Sequence, residues 1–164
     1  MKSNGTLVEV KIGALIMDPN TNTPIVVLKG IDSETVVPIW VGAFEANAIA
    51  LEIEKIATAR PMTHDLIRNL LFGLEMGVKK VVVCDLKEDT YYAVIWLERD
   101  GKMIALDSRP SDALAIALRL DCPIYVDEAV LKTSRAVISE ADTNEETKRW
   151  LEGLNDEDLG RYKM

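Results

Sequence analysis

Asp107, Ser108, Arg109, Ser111 and Asp112 crowd six positions of the segment DSRPSDALAIALRL, residues 107–120, ahead of an alanine-rich apolar run. A helix start uses one capping side chain and one acid in its first turn, so the surplus asks for another use. Arg109 is the sharpest member. A residue before proline is driven out of helical angles, which predicts an extended Arg109, Pro110 as the first helical residue and Asp112 as the third. A cation at that end of a helix opposes the macrodipole and needs a compensating acid or an anionic ligand. Two readings follow: an ion pair with Asp107 or Asp112, or a phosphate clamp in which the guanidinium fork is joined by helix-start N–H groups and Ser111.

The same order of arginine, proline, hydroxyl and acid occurs in RPMTHD, with Arg60, Pro61, Thr63 and Asp65. Pro61 is expected to open the helical segment and Thr63 to cap it. His64, the chain's single histidine, lies between them. Imidazole exchanges protons near neutral pH, although a histidine in a helix's first turn is more often structural. A third segment, WVGAFEANAIALEI (40–53), aligns without gaps on DSRPSDALAIALRL, setting Glu45 on Asp112 and Ala48 on Ala115. If both helix starts face one cleft, Glu45 and Asp112 become paired carboxylates. Asn47, polar inside an apolar helix, is either a ligand or a partner for neighbouring backbone. Asp112 and Arg119, seven apart with Ala115 between them, are expected to share a face open to a ligand or partner.

These residues need a scaffold. Alternating apolar positions and turn signals predict strands near 6–17, 24–30 and 34–41, helices over 42–57 and 60–77 with Gly77 closing the second, and strands near 78–87, 90–99 and 102–107. RDGK carries a hairpin signal. DSRPSDALAIALRL supplies the third helix, CPIYV a short strand and DEAVLKTS a short helical turn. The expectation is an α+β fold: a mixed or mostly antiparallel sheet built from two β-β-β-α repeats, with an extra helix between them. One domain spans 1–138, and residues 139–164 form a charged C-terminal tail or helix with Trp150, Leu151 and Leu154 at helical spacing.

Composition narrows the classes. At 164 residues and 48% hydrophobic content the chain supports one core. Its net charge of -8 argues against broad attraction to polyphosphate, so any nucleic-acid contact must be local. No apolar run approaches a membrane span or a signal-peptide core, which gives the expectation of a cytoplasmic protein without a membrane partner. Cys84 and Cys122 have no metal-ligand spacing and read as reduced packing residues. One histidine leaves carboxylates as the main metal ligands. Tyr91, Tyr92 and Trp96 could stack bases but more often pack a core. The absence of a Gly-rich phosphate loop, nucleophile elbow and zinc spacing disfavours nucleotide triphosphatases, serine hydrolases and zinc enzymes.

PIWVGAFEANAIALE (38–52), RPMTHDLIRNLL (60–71), TYYAVIWL (90–97) and DSRPSDALAIALRLDCPIYV (107–126) together resemble the bifunctional nuclease family. The resemblance implies an α+β domain, self-association as a homodimer, and metal-dependent cleavage of phosphodiester bonds in RNA and DNA. Carried onto this sequence, its motif positions are Glu45, Asn47, Arg60, Thr63, His64, Asp65, Asp107, Arg109, Ser111 and Asp112. The resulting expectation is a nuclease in which Glu45, Asp107 and Asp112 hold a divalent magnesium or manganese ion. His64 and Asp65 complete the catalytic set, while Asn47, Arg60, Thr63, Arg109 and Ser111 bind substrate. The alternative is a non-catalytic regulatory module that binds a nucleotide, an anion or a protein in the same cleft. A blander account pairs Arg109 with Asp112 internally and uses the apolar helices as a subunit seal.

Overall fold

A computed structural model of the chain describes residues 5–132, and the tail at 139–164 with its expected helix lies outside the described residues. The elements run β1 (Leu7–Met17), β2 (Pro24–Gly30), β3 (Val36–Trp40), α1 (Ala43–Ile53), α2 (Thr63–Gly73), β4 (Gly77–Lys87), β5 (Thr90–Arg99), β6 (Lys102–Ser108), α3 (Pro110–Leu120) and β7 (Ile124–Asp127), with a short helical segment at 128–132. The fold is α+β. Seven strands among the described residues form one mixed sheet in the order β3-β2-β1-β7-β4-β5-β6.

Two antiparallel meanders, β1-β2-β3 and β4-β5-β6, lie on either side of β7. β7 runs antiparallel to β1 and parallel to β4, with Ile124 opposite both Val10 and Val81. The last strand among the described residues thus joins the two halves. The hairpin between β5 and β6 turns on Asp100 and Gly101, both at positive φ, the geometry a two-residue turn needs and glycine supplies without strain.

β-Branched residues alternate along the central strands, and one face of the sheet meets the helices. Val26, Leu28, Val37, Ile39, Val81, Val83, Ala93 and Ile95 join Ile49 of α1 and Leu114, Ala115 and Ile116 of α3 in the main core. A smaller cluster of Ala14, Ile16, Ile25 and Val27 occupies the other face. The alanines of α3 allow close approach: Ala113, Ala115 and Ala117 are buried, and α3 packs on both α1 and α2. The face expected to be open around Ala115 is therefore covered. Side-chain volume, not polarity, decided that outcome, because a small residue admits a neighbouring helix as readily as a ligand.

The helices are shorter than periodicity predicts. α1 stops at Ile53, with Lys55 left-handed and Ile56 N–H donating to Leu51 O. α2 stops at Gly73, with Glu75 left-handed and Met76 N–H donating to Leu71 O. α3 ends the same way, through Asp121 and the Cys122 N–H to Ala117 O. All three closures are Schellman-type, but none uses the glycine the sequence rule looks for. Gly77 instead begins β4.

Candidate active site

The starts of α1, α2 and α3 meet at one end of the helical layer. Arg109, the N-cap of α3, has the extended angles φ -72 and ψ 147 that Pro110 imposes, so its side chain leaves the helix instead of continuing it. Asp112 is the third residue of α3. On α2 the cap is Met62, not Thr63, which is already the first helical residue. Asp65 reaches back to accept the Met62 N–H at 2.9 Å, as a capping-box acid does. α1 starts after Gly42, where any side chain would collide with the Glu45 carboxylate.

Arg109 bridges two acids from different helices. Its Nε and a terminal nitrogen donate to Asp112 at 2.9 and 3.2 Å, and the other terminal nitrogen donates to Glu45 Oε1 at 2.9 Å. Asp112 Oδ1 is also 2.8 Å from His64 Nε2. One chain of contacts therefore runs from α2 through α3 to α1: His64, Asp112, Arg109, Glu45. The Arg109 side chain is 64% exposed and the His64 side chain 12%, so the two ends of the Asp112 contact differ sharply in access to solvent.

The charges are set by these contacts. Burial pushes the Asp112 carboxyl up, but hydrogen bonds from Arg109 and His64 outweigh it and hold the group below its usual value. Glu45 is lowered by its own backbone N–H and then by Arg109. Arg109 is raised by Asp112 and Glu45 in turn. At neutral pH the site is a guanidinium between two carboxylates, with an imidazole on the far side of one of them.

This network opens into a groove of about 760 Å³. Glu45, Thr63, His64, Asp107, Arg109 and Asp112 line it, together with Phe44, Tyr91, Tyr92 and Leu106. Phe44 is 91% exposed at its edge. Sequence reasoning passed over Phe44, although a phenylalanine on the polar side of a helix's first turn was a visible signal. Tyr91 donates to Pro38 O at 3.3 Å, whereas Tyr92 is exposed.

The remaining expected residues lie elsewhere. Arg60 and Asp65 line a separate cavity of about 350 Å³ with Lys55, Arg68 and Arg119. Successive helical residues project about 100° apart, so His64 and Asp65 serve different sides of α2, and the second Arg-Pro pair falls on the Asp65 side. The two arginines of the twin motifs do not share a cleft. Ser111 is buried, not presented to the groove, and Asn47 is exposed on α1 away from it. Arg119, expected on an open face, is buried against Asp65.

A divalent ion held by Glu45, Asp107 and Asp112 would need their carboxylates to converge. Among the described residues no three His, Cys, Asp or Glu side chains form such a group. The Arg109 guanidinium takes the place between Glu45 and Asp112 that a cation would fill. In this arrangement the residues do not fit a divalent ion.

Comparison with known proteins converges on one family. A family model described as the bifunctional nuclease domain matches residues 26–139. An uncharacterized protein of Mycobacterium tuberculosis is 41% identical over 139 residues, covering 85% of this chain and 83% of its own length. Bifunctional nuclease 2 of Oryza sativa subsp. japonica is 32% identical over 107 residues, 63% of this chain and 33% of the plant protein. Bifunctional nuclease 1 of Arabidopsis thaliana is 28% identical over 109 residues, 64% of this chain and 34% of its own. No helix among the described residues is long and apolar enough to cross a membrane.

Proposed function

The chain belongs to the bifunctional nuclease domain family, and from that premise we propose that it hydrolyses phosphodiester bonds in RNA and DNA at the groove where the three helix starts meet. The observation that carries this reading is the His64–Asp112–Arg109 constellation. DNA lacks a 2′-hydroxyl, so a site that cuts both polymers by one route does not rely on the substrate's own hydroxyl, and in this reading water is the nucleophile. Asp112 engages His64 Nε2 and fixes the ring, which leaves Nδ1 to take a proton from that water or to give one to the leaving oxygen.

Arg109 holds the phosphate. A guanidinium has five N–H donors, and three are engaged by Asp112 and Glu45. The remaining two sit one on each terminal nitrogen and supply donors for phosphate oxygens. The two acids therefore orient the cation without exhausting it. Phe44 and Tyr92 at the groove offer aromatic faces for unpaired bases, a contact indifferent to sugar type.

The family resemblance implies dependence on magnesium or manganese, which the Glu45–Arg109–Asp112 arrangement does not fit; self-association is part of the same proposal, supported by the exposed Leu66, Leu70 and Phe72 of α2. The test is cleavage of single-stranded RNA and of plasmid DNA by purified protein, with either ion and with chelator. Expected is turnover of both polymers that is lost in His64→Gln and in Arg109→Ala. Oligonucleotide binding without turnover would favour the non-catalytic module. Cleavage unchanged in both variants would reject the groove as the active site.

A further inference from the structure

We propose that Arg119 is a positioning residue for His64, acting through Asp65. It lies outside the groove, and its side chain is 2% exposed. A guanidinium that deeply buried is stable only when its charge is paired and its donors are used. Here Nε donates to Asp65 Oδ1 at 2.8 Å, and the terminal nitrogens donate to Ala115 O at 3.0 Å and Ala48 O at 3.1 Å. One side chain of α3 thus grips a carbonyl on its own helix, a carbonyl on α1 and a carboxylate on α2.

That grip matters because α2 has little else to fix its register. Leu71 is its only buried residue, with Ile67 partly buried behind it, while Leu66, Leu70 and Phe72 face outward. Apolar contact of this extent holds a helix near its neighbours but resists sliding and rotation weakly. The Arg119–Asp65 pair is directional. Asp65 is also fixed to the start of α2, since its second oxygen accepts the Met62 N–H. His64 is the adjacent residue, and its ring reaches Asp112, about two turns along α3 from Arg119 on the same helix. α2 is therefore tied to α3 twice, by an ion pair on one side and by the histidine on the other, and the first sets the geometry of the second.

His64 is the chain's single histidine, so its ring can be observed without assignment ambiguity. The experiment is nitrogen-15 NMR of the imidazole in the wild-type protein and in Arg119→Met, Arg119→Lys and Asp65→Asn, with Asp112→Asn as the reference for a His64 that has lost its carboxylate partner. Positioning predicts that the ring signals of Arg119→Met and Asp65→Asn move toward those of Asp112→Asn, and that Arg119→Lys recovers part of the shift. It also predicts a fall in kcat of up to about 10²-fold with KM little changed, the effect of misplacing a reacting group by about 1 Å. Folded Arg119→Met with wild-type imidazole signals would overturn the proposal, even with a lowered Tm. Should Arg119→Met fail to fold, Asp65→Asn decides the same question. The inference rests on the nuclease reading only for its kinetic arm: a wild-type protein without turnover counts against that reading, while the imidazole signals still decide the positioning.

Discussion

His64 Nε2 lies 2.8 Å from Asp112 Oδ1, a contact between the first turns of α2 and α3 made by residues 48 positions apart. It joins the mostly buried histidine to the most heavily engaged acid of the groove. If the pair acts as a unit, its two members are not independent. His64→Gln and Asp112→Asn should each lower kcat by about 10²–10⁴, the range for general acid–base groups, and the double variant should lose little more. Single-turnover cleavage of a short oligonucleotide measures this, and additive losses would sink the unit.

Arg109 should matter more to activity than to stability. Its ion pairs are made by a side chain 64% exposed, and exposed pairs contribute about 0–1 kcal/mol. Arg109→Ala is expected to keep its Tm within a few degrees while kcat falls by about 10²–10³, the cost of losing a donor to transition-state charge. Thermal melting and kinetics on one preparation separate the two. A marked loss of Tm, or of any self-association the wild type shows, would favour the internal-pairing account instead.

The acid limb of stability follows from the depressed carboxyls. Asp65 is held low by the Met62 N–H and then by Arg119, and Glu45 and Asp112 are low through the contacts described. A carboxyl whose pKa is lower folded than unfolded adds stability that is complete above its unfolded value and is lost as pH falls through the folded one. Tm should therefore drop steeply below about pH 4. Asp65→Asn should flatten that slope, and melting curves at stepped pH read it directly.

Ala115 should tolerate no enlargement. It is fully buried, on the helix that packs against both α1 and α2. Ala115→Val is expected to destabilise the fold by about 1–3 kcal/mol through overpacking, and because the helix starts move with it, to weaken the His64 contact as well. Urea unfolding gives the first quantity and the imidazole NMR signals the second.

Thiol chemistry offers an independent check on the core. Burial pushes the Cys122 thiol up to about 11 and raises Cys84 as well. Both should be alkylated more slowly in the folded protein at pH 8 than after unfolding, since the thiolate is the reactive form. Fast labelling of folded Cys122 would mean that the packing at the end of α3 is wrong.

Much of the fold was legible because it depends on local rules. Apolar alternation marked the six strands before α3, Asp100-Gly101 marked a hairpin, and Pro110 fixed where α3 begins and that Arg109 turns away from it. Helix ends were less legible. Lys55, Glu75 and Asp121 adopt left-handed angles that carry no strong residue preference outside glycine and asparagine, so periodicity ran past them. Glu45, His64, Arg109 and Asp112 are all candidates in the sequence, and an Arg109–Asp112 ion pair is one of the two readings it offers, but the contacts of His64 with Asp112 and of Arg109 with Glu45 are not legible there.

What the sequence determined by itself is local: an extended Arg109 ahead of Pro110, and an acid in the first turn of each helix, dictated by sterics and the helix dipole within a few residues. Which motif meets which was decided only by the packing of three helices on one sheet. That packing turned His64 toward Asp112 and Asp65 toward Arg119, although the two are neighbours in the chain, because adjacent helical side chains point about 100° apart and each direction ends at a different partner. It also sent Arg60 to another cavity and set Arg109 between the two carboxylates where a metal ion was expected.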